Sequence, residues 1–401
     1  MTSYQQLGVT PIINASGSVT RLGGAPMPDE VLTAFTTAAE QWVPLEHLQA
    51  AASRHIAEHT GTEAGLVTAG SAAALTLGTA AILCGNNLGR MEKLPHCDDF
   101  PCEFVVAREH RSGYDHAVRA AGARFVEVGF NEIVSNAGVR RTEAWEYEAA
   151  FGPNTAGVFY GYGKDSEPPL GEVIERAHRH GLPVIVDAAG ELPPRDNLVR
   201  IPASGADLIA FSGGKAIRGP QSTGILCGRK DLVASAAIQM LDMDDHLTLW
   251  DPPTGLVDRT QLDGLPRHGI GRTLKVSKEE IIALLTALDL FASGAYDPDW
   301  DIQHARLTSI VEGVESLPVS CEIQGTAEEE RSPMLSLTID EAVAGRTAFE
   351  VCQALRNGTP PIYPSHGRLA EATLVINPMC FSDDDAREIS RRLKEELERT
   401  T

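Results

Sequence analysis

The middle of the chain alternates short, nearly unbroken apolar runs with amphipathic stretches. Glu103-Phe-Val-Val-Ala-Arg108, Arg124-Phe-Val-Glu-Val128, Gly157-Val-Phe-Tyr-Gly161, Pro183-Val-Ile-Val-Asp187, Asp207-Leu-Ile-Ala-Phe211 and Gly224-Ile-Leu-Cys227 each read as a strand. Helical patterns lie between them, from Tyr114 to Ala121 and from Leu170 to His180, the latter closed by Gly181. Strands apolar on both faces and separated by helices predict an α/β domain whose mainly parallel sheet is covered on both sides.

Beyond Pro266 the texture changes. Ser277 to Phe291 reads as a helix with Ser277 and Glu280 placed as a capping box, and a last helix starts at Ser382, capped across to Asp385. Met334-Leu-Ser-Leu-Thr-Ile339 and Thr373-Leu-Val-Ile-Asn377 have the half-buried strand pattern. A smaller α+β domain follows from these. The expected boundaries are 1–45 for an amino-terminal segment packing on the small domain or on a partner subunit, 46–275 for the large domain and 276–401 for the small one.

With 34 basic and 55 acidic residues in 401, the net charge is −21, which repels phosphate backbones at long range; no basic cluster offsets it. Nucleic acid is therefore disfavoured as a partner, and a small-molecule substrate is expected. Residues 64–89 carry no charge, yet their Thr, Gly, Ser and Asn content and the absence of aromatic anchors favour a helix buried in an α/β domain over a membrane span. The seven cysteines are scattered and the opening residues form no secretory signal, so reduced thiols in the cytoplasm are expected. Only His96-Cys97 with Cys102 resembles a metal cluster. Its spacing fits no common zinc pattern, and no metal is expected.

Ligands of open parallel sheets bind beyond the carboxyl ends of the strands. That rule selects Thr68-Ala-Gly-Ser71, His110, Asp187 and Ser212-Gly-Gly-Lys215. Lys215 follows two glycines that permit a tight turn beside a ligand. A nucleotide-binding loop fails here, because the earlier glycine is missing and Ala216 stands where Ser or Thr is required. A Schiff-base lysine or a solvated loop lysine remains, with Ser212 placed to reach a phosphate oxygen. Asp187 ends an apolar strand, where a carboxylate needs a partner; a pyridinium N–H suits it, and so does a simple turn cap. Gly70, Ser71 and Ala72 open a helix whose free N–H groups form a phosphate cup or an ordinary helix start. His110 offers a flat ring for stacking.

Together these blocks resemble the fold-type I pyridoxal-phosphate (PLP) enzymes, and within them the selenocysteine synthase-like branch that includes D-glucosaminate-6-phosphate ammonia-lyase-like proteins. The resemblance spans nearly the whole chain: Ile12-Ile-Asn-Ala-Ser-Gly17 with Thr20 and Leu22-Gly-Gly24, Glu109-His-Arg-Ser-Gly-Tyr-Asp-His-Ala117, Val186-Asp-Ala-Ala189, Ser212 through Gln221, and Gly271-Arg-Thr-Leu-Lys-Val-Ser-Lys-Glu279. It implies an aspartate aminotransferase-like large domain with a mainly parallel seven-stranded sheet, plus a smaller α+β carboxyl-terminal domain. It further implies that Lys215 forms the internal aldimine and Asp187 pairs with the pyridine nitrogen. His110 would stack on the ring above Ala189, and Gly70, Ser71, Ala72 and Ser212 would hold the phosphate. Arg272 would reach a cofactor site completed by a second copy in a homodimer or larger homo-oligomer.

The implied activity is a PLP-dependent lyase that removes an α-proton and a β-substituent from a free amino acid or amino sugar acid. Racemase, aldolase or aminotransferase chemistry, selenium or sulfur transfer to seryl-tRNA, and a non-catalytic homologue are the alternatives. Substrate carboxylate is expected at Arg368, with Arg218 and Arg21 as alternatives, because the guanidinium fork binds carboxylates through two parallel hydrogen bonds.

Overall fold

The computed structural model describes residues 3–398 apart from 131, 135–137, 247 and 328–331. The chain divides into two compact units, Met27–Ala292 and a smaller one joining Met1–Pro26 to Ser293–Thr401. The sequence reading draws its boundary at 275/276, just before the helix Lys278–Ala292. This helix belongs instead to the larger unit, where it packs against the helix Asp29–Ala39.

The larger unit is built on seven strands: β1 (Ala64–Thr68), β2 (Glu103–Ala107), β3 (Arg124–Val128), β4 (Thr155–Gly161), β5 (Val184–Asp187), β6 (Leu208–Ser212) and β7 (Gly224–Gly228). Their order across the sheet is β1-β7-β6-β5-β4-β2-β3, and only β7 runs antiparallel to its neighbours. Phe104, Val105, Val106, Val158, Phe159, Val184, Ile185, Val186, Ile209 and Leu226 are all essentially inaccessible to solvent, as expected of a sheet covered on both faces.

The uncharged stretch 64–89 is not one helix. It holds β1, the single residue Ala69, and the helix Gly70–Cys84. That helix is apolar all round because it lies under other helices and across the sheet; at Gly78 a side chain would strike Ile185, Leu208 and Leu226. The outer edge of β1 is closed by side chains of the helix Leu45–Thr60. Gln49 donates to the Val67 carbonyl and accepts from its N–H, at 2.9 and 3.1 Å, and Ser53 Oγ accepts from the Gly65 N–H. An edge strand with its backbone groups satisfied in this way offers no template for pairing with another chain.

In the smaller unit, Val319–Gln324, Met334–Ile339 and Thr373–Ile376 form an antiparallel sheet, and Ile13–Ala15 pairs in parallel with Ile362–Pro364. Helices Asp299–Val314, Ala348–Asn357 and Asp383–Leu397 cover the core around Leu307, Leu335, Leu337, Leu374 and Leu393. Both expected capping boxes are present, Ser277 with Glu280 and Ser382 with Asp385. No helix among the described residues is long and apolar enough to cross a membrane.

Candidate active site

The carboxyl ends of the parallel strands bring four of the sequence-selected segments to one edge of the sheet. Thr68 and Ser212 both pair with Gly224, the first residue of β7, and Asp187 pairs with Gly161 on one side and Ala210 on the other. The helix Gly70–Cys84 therefore starts two strands away from the lysine loop, with the Asp187 strand next in line.

Gly224 makes that proximity feasible. A Cβ there would lie 2.3 Å from the Gly70 carbonyl carbon and 2.5 Å from the Ser71 nitrogen. The helix start rests directly on the sheet as a result. Gly70 has φ +86°, and Ala69 at the N-cap offers no side-chain cap, so the first-turn N–H groups are free to meet an anion. Gly70 and Ser71 are half-buried at this point and Ala72 is exposed.

Lys215 stands in a loop with its own close packing. Gly213 donates to the Thr223 carbonyl and accepts from the Gly219 N–H, each at 2.9 Å. Side chains at 213 and 214 would fall 2.3 Å from Thr223 Oγ1 and 2.5 Å from Gln221 Cα, which explains the paired glycines. Arg218 closes the turn in the left-handed region, φ 63°, its N–H donating to the Lys215 carbonyl. The ammonium of Lys215 approaches Gly190: a Cβ on that glycine would be 3.9 Å from Nζ.

Asp187 Oδ1 accepts from the Ala189 N–H at 3.1 Å. Burial raises its pKa, opposed by that hydrogen bond and by the charge of Lys215. Glu191, four residues on, is raised for the same reason and by repulsion from Asp187, with Lys215 again opposing. Its loop is held by the Ala188 carbonyl, 3.1 Å from the Glu191 N–H, and by Asn197, whose amide donates to the Glu191 carbonyl. Glu191 is absent from the sequence-derived site. The signal for it was its place in the loop leaving Asp187, an acid just ahead of Leu192-Pro-Pro194.

His110 follows β2 and is buried. Its Nδ1 lies 3.3 Å from the hydroxyl of Tyr147, which also accepts from the Ala107 N–H, and its ring meets Tyr160 edge-on at 4.3 Å. Burial drives the imidazole pKa down to about 4, the Glu167 carbonyl offsetting this only in part, so the ring is neutral near pH 7. Tyr147 and Tyr160 read as plain core residues in sequence, since nothing in their own neighbourhoods distinguishes them.

The other expected cations are placed differently. Arg272 is paired with Asp242 at 2.5 Å and, with Lys275, lines a cavity of about 420 Å³. In the smaller unit Arg368 is held by Glu371 at 2.8 Å and by Ser336. Arg21 and Arg356 differ from it: both guanidiniums face the Tyr363 ring, at 5.9 and 5.3 Å from its centroid, and among the described residues neither has an acidic partner. Arg356 also donates to His366 Nδ1 at 3.0 Å, and burial, then the charges of Arg356 and Arg21, hold the His366 pKa down. Arg356 lies at the end of the helix Ala348–Asn357, from where it reaches Tyr363.

An amine beside a dry carboxylate, with an uncapped helix start and a hydroxyl nearby, suits a ligand that carries an aldehyde, a basic ring nitrogen and a phosphate. Comparison with known proteins leads to the same group. The aminotransferase class-V family matches residues 105–375. A 5'-C-glycyluridine monooxygenase-decarboxylase of a Streptomyces species is 33% identical over 98% of this chain and 92% of its own. The D-glucosaminate-6-phosphate ammonia lyase of Salmonella typhimurium is 26% identical over 98% and 97%. A solved D-glucosaminate-6-phosphate ammonia-lyase superposes with a TM-score of 0.81 at 25% identity, covering 99% of this chain and 98% of that one. The chain belongs to the aminotransferase class-V family and is a PLP-dependent enzyme of the fold-type I architecture.

Proposed function

We propose that this enzyme is a lyase, taking an α-proton and then a β-substituent from a free amino acid or amino sugar acid. The observation that carries the proposal is the clustering of Lys215, Asp187 and the Gly70 helix start at one sheet edge, in a chain alignable end to end with an ammonia lyase. When bound, PLP supplies an electron sink for the carbanion next to the substrate nitrogen. Lys215 would hold the cofactor through its aldehyde, and its amine, when free, would take the α-proton and pass it to the departing group. Asp187 would keep the ring nitrogen protonated. Gly70, Ser71, Ala72 and Ser212 would hold the phosphate, and His110 and Ala189 would flank the ring.

The acidic group of the substrate, in this proposal, is received by an arginine, whose planar fork suits a carboxylate. Arg368 is already held by Glu371 and Ser336 within the smaller unit. Arg218 remains the candidate within the lysine loop. We place the enzyme in the cytoplasm, consistent with seven free thiols, as a homodimer or larger homo-oligomer. Arg272 and Lys275, concentrated in a strongly acidic chain, are its candidates for contacts with a second copy's cofactor.

Supplying the holoenzyme with D- and L-2-amino-3-hydroxy acids, D-glucosaminate 6-phosphate among them, tests the reading. Ammonia and a 2-oxo acid formed in equal amounts support it; amino-group transfer without ammonia refutes it. A second reading, oxygen-dependent decarboxylation, rests on the 33% identity to the Streptomyces enzyme. Oxygen uptake with carbon dioxide release would decide for it.

A further inference from the structure

Two helices of the larger unit carry a cluster that the chemistry above does not use. His55 and His59 lie four residues apart on the helix Leu45–Thr60, so their imidazoles leave the same face, with ring centroids 5.0 Å apart. Asp289, from the helix Lys278–Ala292, brings Oδ1 to 2.8 Å from His55 Nε2 and 2.7 Å from His59 Nε2. One ring nitrogen from each histidine and one carboxylate oxygen thus fall within 4.8 Å of one another.

Only one of the two contacts is a hydrogen bond. His59 Nε2 makes one with Oδ1, whereas the buried Nε2 of His55 has no hydrogen-bond partner although the same oxygen is 2.8 Å away. The oxygen therefore sits off the axis along which that nitrogen directs its proton or lone pair. A hydrogen bond needs that axis. Groups that share an ion do not, because each aims at the ion and not at its neighbours. Zinc binds imidazole nitrogen and carboxylate oxygen at about 2.0–2.2 Å, which puts tetrahedral ligand atoms about 3.3 Å apart. Opening the cluster by about half an ångström reaches that spacing. Side chains 31, 26 and 52% exposed have the freedom to do so, and leave an open side for water.

We propose that His55, His59 and Asp289 bind a divalent first-row transition ion, with water completing the shell. Two neutral imidazoles and one carboxylate are a donor set that Zn²⁺ and its neighbours accept. The ion ties the helix Lys278–Ala292 to the helix that closes the β1 edge, ahead of the phosphate-facing helix start. Sequence reading points to no such site, because 230 residues separate His59 from Asp289. The other histidine–aspartate cluster, Asp242, Asp244 and His268, already has the Arg272 guanidinium 2.5 Å from Asp242, a positive charge where an ion would sit, and serves as the control.

The test uses tag-free, full-length holoenzyme freed of metal with a chelator, then titrated with Zn²⁺ by calorimetry and with Co²⁺ by visible absorption. One ion per chain is expected, with the intense visible bands of low-coordinate Co²⁺ and a rise in melting temperature. His55→Asn, His59→Asn and Asp289→Asn each weaken binding at least about tenfold, since loss of an outer-shell partner alone typically costs about 10–100-fold and a direct ligand should cost no less. They also abolish the rise in melting temperature, while His268→Asn leaves both unchanged. Absence of saturable binding, or binding that persists in His55→Asn and Asp289→Asn, overturns the proposal. Melting curves of the variants without metal establish that they fold.

Discussion

Replacing Asp187 by Asn separates the two roles a carboxylate at this strand end can have. Asparagine has nearly the same shape, and its Oδ1 still accepts from the Ala189 N–H that Asp187 now holds at 3.1 Å. A turn-capping function survives the change. What disappears is the negative charge, which burial disfavours and which Lys215 only partly offsets. Breaking a buried ion pair from one side costs about 3–5 kcal/mol. At 1.36 kcal/mol per tenfold in rate, kcat should fall by about two to nearly four orders of magnitude. Binding of the cofactor should be much less affected, because the lysine and the helix start are untouched. The assay is paired: visible absorbance of the bound cofactor and its release on dialysis for binding, and ammonia formation under substrate saturation for turnover. A variant that binds cofactor and turns over within threefold of the parent would falsify the electrostatic role of Asp187 and leave it as a cap.

Three other outcomes follow from the geometry. Gly224→Ala puts a methyl group 2.3 Å from the Gly70 backbone, so the helix start must lift from the sheet; stability in urea should drop by about 1–3 kcal/mol, with a parallel loss of phosphate affinity. Unchanged cofactor affinity would show that the phosphate lies elsewhere. His110 has a folded pKa near 4, below its ordinary 6.5, so the unfolded chain binds more protons between these values. Its contribution is full above about pH 6.5 and is lost as the pH falls through 4, amounting to roughly 3 kcal/mol at most; a urea series should show this slope flattened in His110→Gln. Arg218→Gln should raise KM about ten- to a hundredfold, the worth of one charge-assisted hydrogen bond, with the absorbance of the bound cofactor unchanged. An unchanged KM in that variant would move the carboxylate site away from Arg218.

Much of the larger unit was legible because its strands are apolar on both faces and short. Arg124–Val128 there and Met334–Ile339 in the smaller unit match the sequence reading residue for residue, and most other strands differ at one end only. Ala64–Thr68 was harder, since an apolar run of five residues leading into an apolar helix has no periodicity to mark the change. The parallel pairing of Ile13–Ala15 with Ile362–Pro364 has no local signal at all. At the site, Lys215 and Asp187 announce themselves through the glycines before one and the apolar strand before the other. Tyr147, Tyr160, Glu191 and Arg356 do not, because their relevance comes from what the fold sets beside them. Arg368 shows the converse: a glycine-flanked arginine before a strand looks available in sequence, and a neighbour three residues on takes it up.

The claim that Lys215 is the amine holding PLP is open to one direct measurement. Borohydride reduction of the native holoenzyme, followed by digestion and peptide mass mapping, fixes the cofactor to the lysine that carries it. The phosphopyridoxyl label is expected on the peptide containing Ser212-Gly-Gly-Lys215, and Lys215→Ala should take up none while keeping its melting profile. A label on Lys164, Lys230 or Lys275 in the native enzyme contradicts the assignment.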